Sequence, residues 1–292
     1  MTISLAGISL TQVHMDGCRS ITILGALMVA VACPIGAWLY QSKRRYLFDA
    51  FLCLLWTGFA SYGTFFWVAL ACRLGRYFPL CDQMFERADA MVGVSVSALE
   101  SSLFAHYEIS HAIYNWIGHL MWLSILLMIV TGKIERLHVL LLSFVITLFF
   151  AFPIIVLFPA IGPWSLHWAN PVQQAITDEV LRFRQPGPQN FIPTGIVAAP
   201  SYHVIWMVLY AWALWDYRWL RIPVSIYACL LIGSTMTTGS HFFVDVATGI
   251  GVAVVSIHLA KAVLLGAADE ATIRANRPEE QPSLVGAGTP AT

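Results

Sequence analysis

Seven stretches of this chain are apolar over a length close to the thickness of a bilayer, and no other feature restricts its fold as tightly. They cover residues 21–40, 51–72, 112–130, 139–158, 201–217, 222–238 and 243–265, the fifth and sixth being short. A hydrocarbon core takes roughly 20 consecutive apolar residues as a helix. The composition leaves no soluble alternative. Of 292 residues, 58% are hydrophobic and only 11% charged, against about 25% charged in an ordinary soluble domain, so a water-exposed surface cannot be assembled. A soluble enzyme and a disordered tail protein are both excluded. Basic and acidic residues number 16 each and cancel to a net charge of +0. With no basic run to neutralise phosphates, no nucleic-acid partner is expected.

The expected architecture is all-α, a polytopic integral membrane bundle of about seven transmembrane helices over residues 1–268. Residues 269–292 are charged and then low in complexity, and read as a disordered cytoplasmic tail. The stretch before the first span is neutral to acidic (Thr11, Gln12, His14, Asp16), with only Arg19, and lacks the basic n-region of a cleavable signal. Lysine and arginine set the orientation. One face collects Lys43, Arg44, Arg45, Lys133, Arg136, Arg218, Arg221, Lys261, Arg274 and Arg277; the other holds Arg19, Arg73, Arg76, Arg87, Arg182 and Arg184. The richer face is expected in the cytoplasm with the C-terminus, the N-terminus outside, in a plasma (inner) membrane.

Two long connections then face outward. Residues 73–111 mix Asp82, Glu86, Arg87 and Asp89 with Met84, Phe85, Met91 and Val92 at helical spacing, which suggests helices lying in the interface. Residues 160–200 carry Pro163, Pro171, Pro186, Pro188 and Pro193 with Gly162, Gly187 and Gly195. They are expected to form an irregular, ordered cap of about forty residues, anchored by its aromatics at the headgroup level. Cys72 and Cys81 flank the outer loop, where a disulfide is permitted; Cys33, Cys53 and Cys229 read as small buried hydrophobes.

Ionisable groups at membrane depth are costly and invite a functional reading. Three stand out. His203 opens the fifth span, and His241 and Asp245 open the seventh. The two histidines are separated by 37 residues, the length of two spans and a turn, which returns them to one membrane face. If the last helix begins near His241, Asp245 shares a helical face with it, where a carboxylate can fix the imidazole tautomer and raise its basicity. That is the arrangement of an activated histidine nucleophile, with a second histidine as general acid. Ser201 and the N–H groups at the two helix starts can bind an anion.

Other polar groups carry less. His106 and His111 are five apart, and a His-Glu-x-x-His zinc motif needs four. Asn115 and His119 share a face of the third span and either line a cleft or bond between helices. His258 reads as packed or snorkelling. Two histidines and a carboxylate can ligate zinc or iron, but no supporting shell is identifiable, so no metal and no cofactor is expected.

Ala199-Pro200-Ser201-Tyr202-His203, and Ser234-Thr235 followed by His241 and Asp245, resemble the last two motifs of the type-2 phosphatidic acid phosphatase superfamily. The aromatic Tyr202 in the Pro-Ser-x-His slot, with Phe158-Pro159-Ala160-Ile161-Gly162-Pro163-Trp164 upstream, is more similar to the inositol phosphorylceramide synthase-like branch. The similarity covers residues 152–254. It implies a six-helix phosphatase-like core, in which His241 attacks phosphorus to form a phosphohistidine, Asp245 orients it and His203 protonates the departing alcohol. It further implies a lipid phosphate or phospholipid substrate at the outer membrane face, acted on without metal. Hydrolysis and transfer to an alcohol use the same three residues.

This sequence departs from the pattern in three places. Thr235 stands where the superfamily has an arginine, Tyr202 replaces a glycine, and the first motif, a lysine followed at distance by Arg-Pro, is absent. Arg182 and Arg184, before Gln185-Pro186, are the nearest cations for the phosphoryl oxygens, which need neutralising, and Ser201 and Ser240 complete the expected phosphate ligands. The rival from another class is a non-catalytic transporter or scaffold, with His203, His241 and Asp245 as a proton relay or a structural polar contact. The oligomeric state is not legible in the sequence.

Overall fold

A computed structural model describes residues 4–5, 8–9, 13–14, 33–42, 45–103, 107–167, 170–187, 189–190 and 198–275. After a helix at 33–41 (α1) come α2 (Arg45–Gly75), α3 (Asp82–Met91), α4 (Val96–Leu103), α5 (Tyr107–Asn115), α6 (Ile117–Val130) and α7 (Ile134–Leu157). A 3-10 turn at Pro163–Ser165 precedes α8 (Pro171–Phe183), α9 (Tyr202–Leu214), α10 (Arg221–Thr237) and α11 (Phe243–Ala275). Extended structure among the described residues is limited to two-residue pairings: Ser4–Leu5 with Ile8–Ser9, and Val13–His14 in parallel with Gln189–Asn190.

The protein is an all-helical membrane bundle. Among the described residues four helical stretches are long and apolar enough to span: Tyr107–Val130, Ile134–Leu157, Arg218–Thr237 and Phe243–Gly266. The second expected span falls within α2, and the fifth on α9, only 13 residues long. Most of the first lies outside the described residues, as do residues 276–292 of the expected tail. The helix α11 continues through Ala267-Ala268 and Glu270-Ala271 to Ala275, because alanine and glutamate favour continuation once a helix is established.

The short helix α9 is the hub. It packs against α6, α7, α10 and α11, while α7 also packs on α2 and α11. Val204, Ile205, Met207, Leu209, Tyr210, Ala213 and Leu214 are all buried, so apolar residues on every side of α9 meet neighbours rather than lipid. Its start is set inside the bundle. The Ser201 amide donates to the Asp245 carbonyl at 3.2 Å, and a Cβ on Gly249 would lie 2.9 Å from the Ser201 carbonyl oxygen. Only glycine at 249 lets α9 begin against the first two turns of α11.

Alternating helix directions place the starts of α9 and α11 and the end of α10 on one face, together with α3, α4 and α8. The 160–200 connection differs from the expected irregular cap, for it contains the 13-residue α8. Its signal was present. Asn170 accepts from the amides of Val172 and Gln173, the Gln173 side chain accepts from the Asn170 amide, and Pro171 follows the cap, a complete capping box with proline at the first helical position. Cys72 and Cys81 are both free thiols.

Candidate active site

The site is built on the entry into α11, and α3 holds that entry in place. Both carboxylate oxygens of Asp89 accept backbone amides of α11, from Phe243 at 2.7 Å and Val244 at 2.9 Å. About two turns earlier on the same face, Asp82 accepts from Ile161 and Gly162, both at 2.8 Å. Between them Phe85 meets Phe242 edge to face, with ring centroids 5.8 Å apart. One stripe of α3 thus pins the Pro159–Gly162 turn and the segment carrying His241. Burial raises the pKa of both aspartates while the amides they accept pull it back down. Gly162, at φ 131°, lies against Ser240, where a Cβ would come 3.0 Å from the carbonyl oxygen. The Gln173 side chain reaches across from α8 to donate to the Thr238 carbonyl at 2.9 Å.

The hydrogen bonds fix the chemistry of His241. Its Nδ1 sits 2.7 Å from the Ala198 carbonyl oxygen. That oxygen can only accept, so Nδ1 carries the proton and Nε2 bears the lone pair. Burial pushes the His241 pKa down to about 4, against the raising effect of the Ala198 carbonyl, and the ring is neutral at pH 7. Nε2 faces the Tyr114 hydroxyl at 3.4 Å. The Tyr114 ring in turn stacks on His203, with centroids 3.6 Å apart and planes 26° from parallel, and the two imidazoles lie 6.2 Å apart. The sequence expectation that α9 and α11 return their histidines to one place agrees with this geometry.

Asp245 stands differently from the expected arrangement. Its Oδ2 lies 3.9 Å from His241 Nδ1, outside hydrogen-bond range, and accepts from the Phe242 amide at 2.9 Å. The four-residue argument assumed a helix starting at His241. Since α11 starts at Phe243, the His241 ring turns away from the helix face and finds Ala198 instead. Asp245 holds the backbone next to His241 rather than the ring itself, and its Oδ1 is buried without a partner among the described residues.

The expected phosphate ligands are dispersed. Ser201 is the N-cap of α9, accepting from the Val204 amide at 3.5 Å, and Ser240 shares a 2.8 Å hydrogen bond with Thr238. Arg182 is forked onto Glu179. Arg184 donates to the Gly75 and Phe78 carbonyls, tying α8 to the end of α2. These contacts aim both guanidiniums at the protein frame rather than at the histidines. Thr235, in the arginine slot, is fully buried, its hydroxyl on Ile232 and its carbonyl on the His241 amide. Asp89 and Asp245 also occupy the first amides of α11, so that helix start is closed to an anion.

Sequence reasoning missed Tyr114, Asp82, Asp89 and Gln173. Asp82, Phe85 and Asp89 follow helical spacing, and acids on an otherwise apolar stripe were the available signal; nothing marks Tyr114 among the many aromatics. Asn115 bonds to His111 within its own helix, and His119 and His258 are exposed. Among the described residues no group of three or more histidine, cysteine or acidic side chains is arranged to hold a metal. The PAP2 superfamily matches residues 83–259 of the chain. No curated protein and no solved structure matches it.

Proposed function

The chain belongs to the PAP2 superfamily, a phosphatase superfamily, and from that membership we propose that it is a membrane-embedded lipid phosphatase or phosphotransferase working through His241. The observation that carries the reading is the Ala198 carbonyl on Nδ1, which leaves a neutral imidazole with its Nε2 lone pair beside the second histidine. In the first step Nε2 attacks phosphorus of a lipid phosphate or phosphodiester. The P–O bond to the alcohol breaks, and protonated His203 gives its proton to the departing oxygen. In the second, water or an acceptor alcohol gives its proton to His203 and attacks phosphorus, and the P–N electron pair returns to Nε2. The form of the Pro200–His203 motif supports the inositol phosphorylceramide synthase-like branch, and the lysine and arginine distribution supports a catalytic face outside.

The test is phosphate or headgroup release from a panel of lipid phosphates, diphosphates and phosphodiesters by the purified chain in detergent with a chelator. The expected result is chelator-resistant turnover, with a rapid-quench label on histidine that acid removes and base preserves. An enzyme that turns over these substrates but never carries label, or that the chelator stops, overturns the mechanism.

Tyr114 supplies a second readout. Tyr114→Phe keeps the stack on His203 and loses the hydroxyl's contacts to Nε2 and to Ser240, so turnover is expected to change by about tenfold or less, the size of a neutral hydrogen bond. Tyr114→Ala removes the ring that separates and orients both histidines and is expected to cost about 10²-fold, the scale of a misplaced catalytic group. Steady-state turnover of the two variants checks this order.

A further inference from the structure

A groove of about 490 Å³ opens on the membrane face opposite the histidines. Its floor is α9, from Met207 to Trp215; its walls are Ala228 and Ile232 of α10 and Val254 to Lys261 of α11. Ala211 and Ala228 keep it wide. The depth follows from α11. Lys261 lies about 27 Å along the helix axis from Phe243, at 1.5 Å per residue, and Val254 about 16 Å, so the groove fills the far half of a hydrocarbon core about 30 Å thick.

Its mouth is basic and aromatic. Lys261 sits 5.2 Å above the Trp212 ring, and Arg221 lies 5.5 Å from the Trp215 ring while donating to the Trp215 carbonyl. The nearby acid Asp216 is taken by Lys133 and Arg136, and among the described residues no carboxylate pairs with Lys261. Tryptophan and a cation at the end of an apolar groove match a lipid whose chain lies in the bilayer and whose headgroup is negative.

We propose that this groove is a binding site for an anionic phospholipid of the leaflet opposite the catalytic face. One acyl chain lies along α9 between α10 and α11, and the headgroup phosphate sits at Lys261. Such a lipid is not the substrate, for its phosphate is held about a bilayer thickness from His241. The inference therefore stands apart from the catalytic reading.

The test is native mass spectrometry of the full chain in mild detergent, titrated separately with dioleoyl phosphatidylglycerol and dioleoyl phosphatidylcholine. The expected result is one tightly retained phosphatidylglycerol, preferred about fivefold, the factor that a single basic side chain at an anionic surface supplies. Lys261→Gln, a change at an exposed position, is expected to erase the preference. Ala228→Phe, which fills the groove, is expected to lose the retained lipid of either kind. His241→Ala is expected to keep it. Equal retention of the two lipids, an unchanged preference in Lys261→Gln, or loss of the lipid in His241→Ala would each overturn the proposal, the last by placing the lipid at the catalytic face.

Discussion

His241→Ala is expected to lower turnover at pH 7 by at least ~10⁴-fold, the scale seen when a covalent nucleophile is removed, with the chain still folded by circular dichroism and elution. The pH profile of the native enzyme distinguishes this histidine from an exposed one. An ordinary imidazole, with a pKa near 6.5, is protonated and non-nucleophilic through most of the range from pH 6 to 4. Burial depresses His241 to about 4, so its lone pair persists as pH falls through that range. Among the acid-side changes in kcat/KM, the one due to the nucleophile is therefore expected near pH 4. A nucleophile titrating near 6.5 would mean that Nε2 is not the buried atom described above. His203→Gln is expected to separate the two roles. Turnover of alkyl phosphate esters should fall by about 10² to 10⁴-fold, and that of an aryl phosphate, whose leaving group needs no proton, by much less. Equal losses on both would remove His203 from the acid role.

Much of this site was legible in the sequence because it rests on covalent spacing and transmembrane alternation. The two histidines open helices that enter from the same face, and 37 intervening residues allow one return; no packing detail is needed to bring them together. What escaped depends on a boundary of two residues and on contacts between distant segments. Starting α11 at Phe243 rather than His241 moves the imidazole from Asp245 to a carbonyl on another segment. A backbone carbonyl carries no side-chain signature, so nothing in the residue types identifies Ala198 as the orienting partner. Arg182 and Arg184 misled for a related reason. Their place before Gln185-Pro186 suggested phosphate chemistry, whereas cations near a helix C-terminus also find backbone carbonyls, and Arg184 does so at the end of α2. The irregular cap was misread because prolines were counted as loop signals, when Pro171 after Asn170 starts a helix.

With Thr235 buried and the first amides of α11 occupied, the geometry differs from a site that surrounds phosphate with arginines. On the proposed reading, positive potential beside His241 comes from the start of α9, where Ser201 caps the helix and His203 lies in its first turn. A helix N-terminus carries about half a unit charge.

Asp89→Ala is expected to disable the enzyme without touching a histidine. The Asp89 carboxylate is buried and accepts the two amides that open α11. Removing it frees both donors beside a cavity of about 310 Å³ that Asp89 lines, so the cost is at the low end, about 2 kcal/mol at about 1 kcal/mol per donor. Part of that loss appears as a lower unfolding midpoint in detergent. The rest appears locally, because Phe242 and His241 immediately precede the uncapped turn, and a shift of about 1 Å at the nucleophile costs on the order of 10²-fold in rate. Asp89→Asn is expected to fall between the two, since a carboxamide keeps one accepting oxygen and presents an NH₂ to the other amide. Gln83→Ala, on the exposed side of α3, is expected to leave both quantities within error. Paired measurements of turnover and thermal midpoint on the three variants check the ordering. Native-like activity in Asp89→Ala would mean that α11 keeps its start without α3, and that the acidic stripe on that helix has no part in holding the nucleophile.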